Sequence, residues 1–154
     1  MATKMTTAIL PYAIEETIWP TITTLTQETK DLLALFYTLA DDAGPDAGPR
    51  MAKDVFSSHG TVRAATGVYE GAEAISNSRA TAWTQVSARR HTIQRVYVHD
   101  DVAQDLMALG TVEMVLRNGD SRVSKFAARL VINAESHAAK QPRLNLMEVF
   151  PAPS

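Results

Sequence analysis

A chain of 154 residues with 45% hydrophobic content is long enough for one domain with a real core and too short for two ordinary ones. Its 15 basic and 17 acidic residues give a formal charge of -2, without the positive field that recruits nucleic acid or an anionic membrane surface. The absence of cysteine excludes disulfides, thiolate metal sites and cysteine nucleophiles, fits a cytoplasmic protein, and leaves any chemistry to His, Asp, Glu, Tyr, Ser, Lys or Arg.

The opening stretch, MATKMTTAILPYAIEETIW, carries one lysine and a short apolar patch that Pro11, Glu15 and Glu16 interrupt, which is not the pattern of a signal peptide. No run approaches the roughly 20 apolar residues that span a bilayer. Residues 1–154 are therefore expected to form a single soluble domain, with 1–20 as an N-terminal extension in which 12–19 make a short helix ending at Pro20. In TLTQETKDLLALFYTLADD, Leu25, Leu32, Leu33, Phe36, Leu39 and Ala40 recur at helical spacing and predict a long helix with one broad apolar face. AGPDAGPR, 43–50, holds two prolines and two glycines and reads as a loop.

Beyond it, MAKDVFSSHG predicts a helical turn and TVRAATGVYEG a strand or loop pair. GAEAISNSRATAWTQVSA returns to helical spacing, with Ile75, Ala82 and Val86 on one face and Arg79 interrupting it, either at a rim or paired. From residue 89 the period changes to that of strands: 89–98, about 104–117, about 121–133 and about 143–150. Asn118-Gly119 predicts a tight two-residue hairpin, which makes DLMALGTVEMVL and SKFAARLVI antiparallel neighbours. Helices first and a meander of strands afterwards predict an α+β fold, with the helices on one face of a curved antiparallel sheet.

The stretch ARRHTIQRVYV, 88–98, places a histidine on a strand where a buried aliphatic would be ordinary. Beside a carboxylate, His91 would serve as a general base; the plainer alternative is a partly buried structural histidine. Asp41, at the end of the long helix, either orients such a base or acts as an acid, or is solvated like its neighbour Asp42. Tyr37 lies one turn before Asp41 on the same face, as a phenol donor or as packing. Glu113 and Arg129 interrupt two apolar strands, where they would polarise a ligand oxygen if they face a pocket or form a solvated cross-strand pair if they face outward. Trp83, Met107, Met114, Phe126 and Met147 read as core or pocket wall, with Trp83, Met114 and Phe126 expected against a substrate.

His59 and His99 fall in expected loops and His137 in the last turn, without H-x-H, H-x-x-x-H or E-x-x-H spacing, so no metal is expected. Neither a G-x-x-x-x-G-K nor a G-x-G-x-x-G cradle occurs, and Ser57-Ser58-His59 lacks a G-x-S-x-G context, so neither a nucleotide cofactor nor a serine hydrolase is expected. RATAWTQVSARR with Arg95 reads as a solvated basic face and not as an RNA surface.

The order of the long helix, DVFSSHGTVRAATGVYEGAEAISNSRATAW, RRHTIQRVYV, the Asn-Gly hairpin, FAARLVI and RLNLMEVF resembles the SnoaL-like branch of the NTF2-like superfamily, and within it the small fungal members. The likeness runs from about residue 25 to 150. It implies a cone in which a bent antiparallel sheet wraps the long helix and opens onto a pocket for apolar small molecules. It further implies a cofactor-free isomerase, dehydratase or cyclase of secondary metabolism, and a homodimer. The same fold used as a non-catalytic ligand-binding or assembly module is the alternative. Arg-His-Thr-Ile around His91 is similar to the segment that holds a catalytic histidine in scytalone dehydratase, and Asp41 matches the place of its pocket-facing acid. The second histidine of that enzyme has no counterpart, since Leu-Gly-Thr-Val-Glu-Met occupies the region.

Overall fold

The run with the strongest helical periodicity forms helix α1, Gln27–Ala40. Thr26 caps its start by accepting the Thr29 N–H, and Glu28 places a negative charge in the first turn, where the helix dipole favours it. Leu32, Leu33, Phe36 and Leu39 are buried on one stripe, each side chain contributing about 1.5–3 kcal/mol by leaving water. The computed structural model describes residues 11–152; the first ten residues of the expected extension and the last two of the tail lie outside the described residues.

After α1 the expected loop is helical in its second half, as α2, Ala47–Arg50, running into a π-helical turn at Met51–Val55. Pro49 fits there because N–H groups in a first helical turn have no partner within the helix to lose. Strand β1, Phe56–Ala64, and β2, Gly67–Glu70, then pair antiparallel, so His59 lies on a strand and not in a loop. Helix α3, Gly71–Thr81, is shorter than its sequence period, because residues from Val86 onward already belong to β3, Val86–Val98. Strands β4, Asp105–Leu116, and β5, Ser121–Ile132, form the expected neighbouring pair, in register from Asp105 opposite Val131 to Val115 opposite Ser121. Their turn differs from a two-residue hairpin: Gly119 alone takes positive φ, at 95°, while the Asn118 side chain accepts the Asp120 N–H. The short α4, Ala134–Ala138, leads to β6, Leu144–Pro151.

The six strands form one curved sheet in the order β2-β1-β6-β5-β4-β3. It is not wholly antiparallel, since β1 runs parallel to β6; four strands and the helices α3 and α4 separate the two in the chain, giving it room to return in the same direction. Leu106 and Ala108 of β4 and Ala128, Leu130 and Ile132 of β5 share the α1-facing core with Leu33 and Leu39. Gly110 stands on the same face of β4. A Cβ there would lie 2.5 Å from the Thr92 carbonyl and 2.9 Å from the Phe126 ring, so its bareness lets that ring lie over the strand.

Strand β3 is an edge, and the segment before α1 covers part of it. The Ile18 N–H donates to the Gln94 carbonyl at 3.0 Å, the Val96 N–H to the Ile18 carbonyl at 3.1 Å, and the Thr17 hydroxyl to the Ile93 carbonyl at 2.6 Å. This pairing straightens the segment, and only a 3₁₀ turn, Pro11–Ile14, remains of the expected helix over 12–19. Among the described residues, no helix is long and apolar enough to cross a membrane.

Candidate functional site

Two irregularities decide what β3 presents to the interior. Its register against β4 shifts between Val86 and Ala88 and again between Ile93 and Arg95, so regular alternation is confined to the stretch between. Arg89, His91 and Ile93 consequently share the inner face, and Arg90 faces outward with Glu113 opposite it.

His91 meets Asp41, the residue that ends α1. The ring Nδ1 lies 2.5 Å from Asp41 Oδ1, and the backbone N–H of His91, free on this edge strand, donates to Oδ2 at 2.8 Å. The Tyr12 hydroxyl donates to the same Oδ2 at 2.5 Å. A carboxylate at a helix C-terminus is disfavoured by the dipole, and this one is only 5% exposed, so these donors replace its water. An ionised carboxylate only accepts, which makes Nδ1 the donating nitrogen and leaves Nε2, across the ring, with the lone pair. Burial foremost, and then the hydrogen bond to Asp41, hold the Tyr12 hydroxyl protonated well above its ordinary range.

His91 lines a cavity of about 430 Å³ between α1, α3 and the inner face of the sheet. Most of its wall is apolar: Phe36, Val62, Val112, Met114, Phe126, Met147 and Val149 contribute. Tyr37 stacks obliquely on His91 with ring centres 5.0 Å apart, and Phe126 meets His91 edge-on at 5.5 Å. The Tyr37 hydroxyl is buried without a hydrogen-bond partner, and burial, followed by the nearby Asp41 charge, keeps its proton on far above the usual range.

The eight residues singled out from the sequence thus separate. His91, Asp41, Tyr37, Met114 and Phe126 come together, four of them in the cavity wall and Asp41 directly behind His91. Glu113 is exposed on the outer face because it alternates with the inward Val112 and Met114. Arg129 is likewise turned away, held by Asp105 through bonds of 3.0 and 2.8 Å, and it lines a shallow outer groove with Tyr97, His99 and Met107. Neither contacts the cavity as expected. Trp83 is also outside it: α3 has ended before this residue, and its ring backs Arg89, whose guanidinium lies 4.8 Å from the ring centre.

Sequence reasoning missed Tyr12, Arg79 and Arg89. Tyr12 stands 29 residues from its partner and carries no local signal. The sequence places Arg79 on the apolar face of its helix, at a rim or paired, and Arg89 within a solvated basic cluster, yet both line the cavity. Desolvation, reinforced by the neighbouring Arg89, brings the Arg79 guanidinium down to about 10, and desolvation lowers Arg89 as well. Among the described residues no three His, Asp or Glu side chains converge as a metal-binding group.

No protein-family model matches the chain, and no curated protein matches its sequence. Solved structures do. An NTF2-like protein of unknown function from Exiguobacterium sp. 255-15 superposes with a TM-score of 0.63 at 14% identity, over 80% of this chain and 99% of that one. A protein with a ketosteroid isomerase-like fold from Catenulispora acidiphila DSM 44928, in complex with trimethylamine, gives 0.61 at 15% identity, over 77% and 83%. A candidate scytalone dehydratase from Novosphingobium aromaticivorans DSM 12444 gives 0.61 at 10% identity, over 82% and 83%. The chain therefore has the NTF2-like fold.

Proposed function

We propose that the protein is a cofactor-independent enzyme that moves a proton on a small, largely apolar molecule, by isomerisation, dehydration or cyclisation, with His91 Nε2 as the base. The observation that carries this reading is the His91–Asp41 pair in the wall of a cavity otherwise built from aliphatic and aromatic side chains. Asp41 fixes the tautomer and steadies the imidazolium that proton transfer creates; Tyr12 holds Asp41 in place. The unpartnered Tyr37 hydroxyl, beside His91, is suited to donate to a substrate oxygen as charge develops on it. Met114 and Phe126 would press on the apolar body.

The test is proton exchange in D₂O with a panel of apolar bicyclic ketones, 1-tetralone first, followed by NMR. The protein is expected to accelerate loss of the α-proton signal, and His91→Ala to lower that acceleration by roughly 10²- to 10⁴-fold, the usual worth of a general base. Equal exchange by the variant would remove His91 from the mechanism.

A second reading has specific support. His59, His99 and His137 all lie outside the cavity, so the pair has no second imidazole to work with, and the same cone could hold a ligand without transforming it. Ligand binding with no exchange on any ketone would favour this binding module. On either reading Tyr97, Leu109, Val115 and Val123, exposed on the outside of the sheet, offer an apolar face for homodimerisation.

A further inference from the structure

The cavity carries more positive charge than an apolar substrate requires. Arg79 approaches from α3 and Arg89 from β3, and Lys125 stands at the lining as well. Against these cations the cavity region offers Asp41, whose two oxygens are already occupied by His91 and Tyr12. Among the described residues, neither guanidinium has a carboxylate oxygen within 4.0 Å. Each instead gives one N–H to a backbone carbonyl: Arg79 Nη2 to Ala40 at 2.8 Å and Arg89 Nη2 to Ala82 at 3.0 Å. A guanidinium has five N–H donors, and Arg79 Nε is buried with no partner at all.

Ordinary structural roles account for only part of this. The Arg79 bond satisfies the last carbonyl of α1, and the Arg89 bond with the Trp83 ring fixes a side chain that would otherwise be free to reach water. Neither role requires two like charges to line one desolvated cavity, where each raises the cost of the other. Outside the cavity the chain neutralises such a charge directly, as Arg129 does with Asp105. What the cavity lacks is an anion.

We infer that Arg79 and Arg89 form an anion-binding subsite, and that the molecule this cavity takes bears a carboxylate on an apolar body. The inference rests on the cavity with its His91–Asp41 pair being the working site. Guanidinium donors match a carboxylate in shape as well as charge, which a lone lysine would not. The subsite also fixes orientation. Arg89 and His91 are two residues apart on one face of β3, about 7 Å along the strand, so a carboxylate at Arg89 would bring a carbon roughly one ring away to His91 Nε2. Trp83 then acts as a positioning residue, stacked behind Arg89 outside the cavity.

The experiment uses a matched pair of probes, 2-naphthoate and its neutral counterpart 2-naphthalenemethanol, with calorimetric affinities and His91 ring shifts by NMR for wild type, Arg79→Gln and Arg89→Gln. Naphthoate is expected to bind about 10- to 100-fold more tightly to wild type, the gain typical of charge-assisted hydrogen bonds in a desolvated site. That preference should fall to within about threefold in Arg89→Gln, while affinity for the alcohol stays and reports an intact cavity. Arg79→Gln should behave likewise; should it lose the alcohol too, through its contact with the end of α1, Arg89→Gln decides. Equal affinity for both probes, or a preference that both variants retain, overturns the anion subsite while leaving the cavity as the site. Failure of both probes to bind or to move the His91 ring overturns the subsite together with the reading of the cavity beneath it.

Discussion

Each face of the sheet holds a nitrogen side chain against a carboxylate, and the two pairs show how similar contacts change with their surroundings. On the outer face Arg129 and Asp105 meet at 2.8 Å with side chains 43% and 22% exposed. On the inner side His91 and Asp41 meet at 2.5 Å with 17% and 5% exposed. The Arg129 bonds pull the Asp105 carboxyl below its usual range, but water and salt reach that pair and would solvate either partner alone. Asp41 has no such recourse, and its loss would leave the Tyr12 hydroxyl, the His91 N–H and Nδ1 facing a gap. Distance alone does not mark a site; dependence on a buried partner does.

That contrast breaks most directly at Asp41. Asp41→Ala is expected to lower stability by about 2–4 kcal/mol, since each buried donor left unpaired costs about 1–3 kcal/mol. Arg129→Ala should leave the urea midpoint unchanged within error. Comparable losses from both would mean that burial does not separate the two faces.

A smaller effect is expected where the inner face makes room for its aromatic rings. Gly110→Ala drives a Cβ against the Thr92 carbonyl, which as backbone cannot swing away, and against Phe126, and should cost about 1–3 kcal/mol. It should also shift the His91 ring resonances, because Phe126 meets that ring edge-on. Gly119→Ala, in the β4–β5 turn, has nothing within 4 Å of the added Cβ and pays only for its positive φ, so it should leave His91 untouched. An unmoved His91 spectrum in Gly110→Ala would detach Phe126 from the site.

The same division explains how much could be read from the chain. Helix α1 was legible because its apolar spacing persists for four turns, and β4–β5 because their apolar runs flank Asn118-Gly119. His91 and Asp41 were legible through local segments and resemblance. Which face a strand residue occupies was not, since DLMALGTVEM is apolar on both sides, and Glu113 and Arg129 proved to face outward. Arg79 and Arg89 lie in a stretch of mixed polarity, and their inward aim depends on where α3 stops and where β3 bulges, which are tertiary outcomes. The parallel β1–β6 pairing and the Tyr12–Asp41 bond each join distant segments, and no local pattern encodes them.

Tyr12 gives the finest test, because it supports the inner pair from a segment expected to be a mere extension. Tyr12→Phe removes one donor from Asp41 and should cost about 1–2 kcal/mol near neutral pH. The alkaline side is more specific. Tyr12 and Tyr37 are held protonated in the fold, chiefly by burial, whereas an unfolded tyrosine ionises near pH 10. Above that pH the unfolded chain has released protons that the folded chain retains, so stability falls as pH rises. Arg79, lowered to about 10, works in the opposite direction over the next pH units, since the unfolded chain then holds a proton the folded one has given up. Comparing wild type with Tyr12→Phe cancels Arg79 and Tyr37 and leaves Tyr12 alone. The stability gap between them should hold up to about pH 10 and narrow beyond it, as the wild-type chain alone loses the Tyr12 contribution. A gap that stays constant to about pH 11.5 would show that the Tyr12 proton is not held by Asp41, and the inner pair would then rest on His91 alone.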